Sequence, residues 1–71
     1  MKHETLYLNE WTEARDARKQ VKEYCEYYGN LCAFTIHTIQ GTDFKVIAAV
    51  KRELDARDIE YRIKLVPKDG V

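Results

Sequence analysis

The sequence predicts a small α/β domain of order βαβαβ, a three-stranded sheet with two helices packed on one face. Three observations predict it. Three short segments alternate apolar and polar residues in the same phase. A strongly amphipathic stretch lies between the first two, and a second helical pattern lies between the last two. Strand side chains alternate faces, so a period of two with one apolar phase means one buried face.

The first strand is read over Glu4–Leu8, with Leu6 and Leu8 inward and Thr5 and Tyr7 outward. The second is read from Leu31 to Ile39, with Cys32, Phe34 and Ile36 inward and Ala33, Thr35 and His37 outward. The third is read from Ile59 to Val66, with Tyr61, Ile63 and Leu65 inward and Arg62, Lys64 and Val66 outward.

Between the first two strands, Trp11, Ala14, Ala17, Val21, Tyr24, Cys25 and Tyr28 recur at spacings of three and four. This is the stripe of a core-facing helix. Asn9 is the expected N-cap, and Gly29 stands where a left-handed residue stops a helix. Trp11 is expected to cover the edge of the core. Tyr27 falls away from the stripe and is expected to be exposed. After the turn Gln40-Gly41-Thr42-Asp43, the residues Phe44, Ile47, Val50, Lys51 and Leu54 fit a second stripe, with Val46 and Ala48 at its edges. Thr42 or Asp43 serves as its cap. Asp58 takes the glycine position at its end, since Asp tolerates left-handed backbone better than most residues.

A competing arrangement makes Phe44 to Val50 a strand, giving the ferredoxin-like order βαββαβ with an open sheet face. It leaves only Lys51 to Asp58 for the second helix, with Leu54 as its one large apolar residue. So short a helix could hardly hold itself on a sheet. In the favoured order, right-handed crossovers and sequential strands place both helices on one side. The other side is then bare, which is unusual for parallel strands. Self-association or edge pairing between subunits would relieve the conflict. No internal repeat is evident, and Pro67 to Val71 is expected to fray.

Composition narrows the function classes. The 71 residues make a single domain, residues 1–71, with 45% hydrophobic and 34% charged residues. A chain this short buries only about 60% of its unfolded surface, which leaves little room for a deep pocket beside a core. Twelve basic and twelve acidic residues give a net charge of zero. That balance argues against strong non-specific attraction to nucleic acid. No apolar run reaches membrane length, and no signal-peptide pattern opens the chain, so a cytoplasmic protein is expected. Cys25 and Cys32 form no CxxC motif, and two Cys with two distant His make no zinc pattern. They read as small buried hydrophobes, with a disulfide across the Gly29 turn as the alternative. No metal or cofactor is expected.

Candidate binding residues are Tyr7, Thr35, His37, Arg62 and Lys64 on the outward strand face, and Tyr27 on the helix. His titrates near neutral pH, so His37 is the natural general base, yet only Thr35, Tyr7 and His3 neighbour it. No Ser exists in the chain, and no GxGxxG, Walker A or HExxH pattern occurs. No catalytic residue is assigned. Aromatic and basic groups on an open sheet can stack bases and hold phosphates, but the RNP signature is absent. The expectation is a non-enzymatic protein-interaction module of accessory, regulatory or inhibitor type. It would bind another protein, or itself as a homodimer, through the open face or a sheet edge. A nucleic-acid-binding domain ranks second. An enzyme with His37 as base across a dimer interface ranks third.

Overall fold

A computed structural model describes residues 2–29 and 32–68. The order is β1 (Lys2–Leu8), α1 (Ala14–Tyr28), β2 (Cys32–Ile39), α2 (Phe44–Ala56) and β3 (Tyr61–Val66). The three strands are parallel, in sheet order β1-β2-β3. The segment Phe44 to Val50 is helical, so the ferredoxin-like alternative does not hold. Leu31, the first residue of the expected second strand, lies outside the described residues.

One face of the sheet carries the core. Leu6, Leu8, Cys32, Phe34 and Ile36 are buried beneath Ala17 and Val21 of α1 and Val46, Val50 and Leu54 of α2. Ile59, just before β3, closes one end. Register puts Leu6, Ile36 and Ile63 in one row across the sheet.

Several boundaries differ from the sequence reading, each for a local reason. Helix α1 starts at Ala14 with Glu13 at the N-cap. Asn9 does not cap it. Instead its Oδ1 accepts the Trp11 N–H at 2.8 Å, and Thr12 N donates to the Asn9 carbonyl at 3.2 Å. This local turn carries Trp11 outward, where it is 80% exposed. Strand β3 starts at Tyr61, because Asp58 and Ile59 belong to the stop of α2. Asp58 is left-handed at φ 56°. The Ile59 N–H donates to the Leu54 carbonyl at 3.0 Å, and the Asp58 N–H to that of Asp55 at 3.1 Å. These are the two bonds of a Schellman motif, and buried Ile59 and Leu54 make its apolar contact.

The other caps follow the sequence. Asp43 Oδ1 accepts the Lys45 N–H at 2.9 Å, and Gly29 has φ 67° after Tyr28. The turn that launches α1 also recurs before α2. Thr42 N donates to the Ile39 carbonyl at 3.1 Å, as Thr12 N does to that of Asn9. Each Thr hydroxyl bonds back to the residue three before it, and an acid follows as N-cap. The same strand–turn–helix unit is thus built twice although the sequence shows no repeat.

The stripe of α2 is rotated from its expected phase. Val46, Val50 and Leu54 point down to the sheet. Glu53 turns toward α1 and pairs with Arg57. Ile47 is only half-buried, and Phe44 is 80% exposed. Phe44 and Ile47 thus lie outside the arc packed on the sheet, and Ile47 lines an open groove with Leu65 and Pro67.

Candidate functional site

The bare face is real and is built from alternate residues of three strands. Two rows cross it in register. Thr5, Thr35 and Arg62 form one, and Tyr7, His37 and Lys64 form the other. Five of the six residues singled out from sequence therefore share one surface. Tyr27 does not. It is exposed on α1, edge-on to Tyr28 at 4.7 Å between ring centroids.

Side chains on this face are mutually organised. The Tyr7 and His37 rings lie 5.1 Å apart at 51°. His3 Nε2 and Thr35 Oγ1 are 2.6 Å apart. Tyr7 remains 65% exposed, so most of its ring faces outward. Arg62 and Lys64 are also exposed. Among the described strand residues, no carboxylate shares the face. Glu4 is on the helix side, where it pairs with Lys2 at 3.9 Å. Glu60 stands only at the entrance of β3. The chain is neutral overall, yet the strands of this face carry Arg62 and Lys64, with the Glu60 carboxylate beside Arg62 at the start of β3. Charge counting over the whole sequence missed this because most acids lie on helices and turns, and Glu4 of β1 faces the helices.

The face groups hydrogen-bonding, aromatic and basic side chains. His37 touches an aromatic ring and lies in register with a cation, with no carboxylate to orient it and no nucleophile opposite. Among the described residues no group of His, Cys, Asp and Glu is arranged to hold a metal ion. The two cysteines are free. Burial pushes both thiols up, which makes them poor nucleophiles. Among the described residues, no helix is long and apolar enough to cross a membrane.

The carboxyl ends of the strands, where open parallel sheets often take ligands, are partly occupied by the chain itself. Lys68 Nζ pairs with Glu10 at 3.1 Å, and the Lys68 N–H reaches Gln40 Oε1 at 3.4 Å. Lys68 thereby contacts the loops that follow β1 and β2, while residues 69–71 of the expected tail lie outside the described residues.

Sequence reasoning missed three exposed apolar residues: Trp11, Phe44 and Leu65. Leu65 was expected inward. It does lie on the helix side, but it is 77% exposed at the end of an edge strand that α2 does not reach. Comparison with protein-family models, curated proteins and solved structures gives no match.

Proposed function

We propose that this chain is a small non-enzymatic interaction module that takes an acidic protein partner on its open sheet face. The observation behind this reading is the sorted charge of that face. It presents Arg62, Lys64, Tyr7 and His37, with a carboxylate, Glu60, only at the start of β3. A surface with Tyr7 at one margin, His37 at its centre and Arg62 and Lys64 at the other margin suits protein contact, since Tyr and Arg are enriched at interfaces. The same sorting counts against a homodimer made face to face. Two such faces would bring Arg62 and Lys64 of each copy together with only Glu60 at the margin to offset them, and like charges across an interface cost several kcal/mol.

The test is binding of a fluorescent acidic peptide to the wild-type chain and to an Arg62→Glu/Lys64→Glu variant. Loss of binding with an unchanged thermal melt is the expected result. Equal binding by both would overturn the reading. A second reading, single-stranded nucleic acid, is favoured by the exposed Tyr7 ring on the same face as Arg62 and Lys64, because aromatic platforms stack bases. An oligonucleotide arm at low salt decides it. Salt-sensitive binding that Tyr7→Ala abolishes would move the function to that class.

A further inference from the structure

The outer edge of β3 combines an open backbone, an apolar flank and a basic flank. The backbone comes first. The Glu60 carbonyl accepts from Phe34 N at 3.1 Å, and the Val66 carbonyl accepts from Gln40 N at 2.8 Å. In a parallel ladder, alternate residues turn both backbone groups toward one neighbour. Glu60, Arg62, Lys64 and Val66 therefore face β2. Tyr61, Ile63 and Leu65 direct their N–H and C=O groups away from the sheet, where no strand among the described residues meets them.

The two flanks of this edge differ in chemistry. On the helix side lie Tyr61, Ile63 and Leu65, from half-buried to exposed. An open groove continues from Leu65 to Ile47 of α2 and to Pro67. On its floor stands Thr38, whose buried hydroxyl has no partner among the described residues. Exposed Phe44 extends the apolar surface along α2. On the open side lie Arg62 and Lys64. The opposite edge, β1, lacks this combination. Its Leu6 and Leu8 are fully buried, and Lys2 and Glu4 pair beside them.

We infer that the β3 edge accepts an extended segment of another protein as a fourth strand, and that this segment alternates apolar and acidic residues. The inference rests on the acidic-partner reading above and specifies its mode. A strand added at an edge gains affinity from main-chain hydrogen bonds and specificity from alternate side chains. Apolar residues of the segment cover Ile63, Leu65 and the groove to Ile47. Acidic residues fall beside Arg62 and Lys64. A second copy of this chain is a poor occupant. Antiparallel β3 pairing centred on Ile63 sets Arg62 opposite Lys64 of the copy, and like charges directly opposite destabilise a sheet.

The probe is a synthetic eight-residue peptide alternating Val and Glu, with a Val/Lys peptide as control. Two further versions carry backbone N-methyl groups, either on all Val or on all Glu. A bound strand turns one of these sets toward β3 and the other to solvent. The expected result is binding by the Val/Glu peptide only, with one N-methylated version losing at least about tenfold in affinity and the other nearly unchanged. Leu65→Pro deletes an outward N–H that the β2 ladder does not use, and should give a similar loss. Leu65→Thr keeps that N–H and should lose less.

Equal binding by both N-methylated peptides would overturn the edge proposal. If Arg62→Glu/Lys64→Glu still abolished that binding, the acidic-partner reading would survive. No binding of the Val/Glu peptide, or dimerisation of the chain through β3 in sedimentation, would also overturn the edge proposal.

Discussion

Leu6 and Tyr7 are consecutive residues of one strand, and their truncation to alanine should have opposite consequences. Leu6 is fully buried in the row with Ile36 and Ile63, while Tyr7 is mostly exposed and touches His37. Replacing a fully buried Leu by Ala removes its transfer free energy and leaves a cavity, about 2–5 kcal/mol together. A domain of this size has a total stability of roughly 4–10 kcal/mol, so Leu6→Ala removes a large fraction of it. Tyr7→Ala loses part of one ring contact, about 0.5–1 kcal/mol, with little apolar area returned to water. Urea unfolding followed by far-UV circular dichroism measures both. The predicted separation is about 2 kcal/mol or more, with Leu6→Ala the weaker protein. Equal costs, or a larger cost for Tyr7→Ala, would mean that the outward face is covered and would refute the one-sided sheet.

Three other substitutions probe local features. Asp58→Gly relieves a left-handed backbone position and should raise stability by about 0.5 kcal/mol, whereas Asp58→Val should lower it by about 1–2 kcal/mol; urea midpoints resolve the pair. Thr38→Val replaces a buried hydroxyl without a partner among the described residues and should raise the thermal midpoint, a gain of about 1 kcal/mol. Glu53→Gln removes the ion pair with Arg57, whose hydrogen bond holds the Glu53 carboxyl below its usual range. A lowered folded-state pKa adds stability above the unfolded value that is lost as pH falls through the folded one. The variant should therefore be weaker by about 0.5 kcal/mol at neutral pH. Denaturant titrations should show that difference closing as pH falls below the ordinary glutamate range.

The strand faces were legible because alternation is a local property. Leu6 against Tyr7, and Ile36 against His37, fall as the period of two requires. The helix stops were legible too, since Gly29 and Asp58 mark left-handed positions by residue type. The start of α1 was not, because Asn9 can cap a helix or a turn, and only the hydrogen bonds to Trp11 and Thr12 decide. Phe44 and Leu65 were misplaced for a different reason. Periodicity says which residues share a face, but not how far a neighbouring element extends over it. The charge of the open face needed register, because Arg62 joins the row of Thr5 and Thr35, and Lys64 that of Tyr7 and His37, only when three strands are aligned.

Amide hydrogen exchange along β3 tests the central claim most directly. In the free chain, Arg62, Lys64 and Val66 should be protected by β2, while Tyr61, Ile63 and Leu65 exchange rapidly. Adding the Val/Glu peptide should slow those three amides selectively. Protection of Tyr61, Ile63 and Leu65 in the free chain, or no change on adding the peptide, would contradict the open edge and the partner it is built to receive.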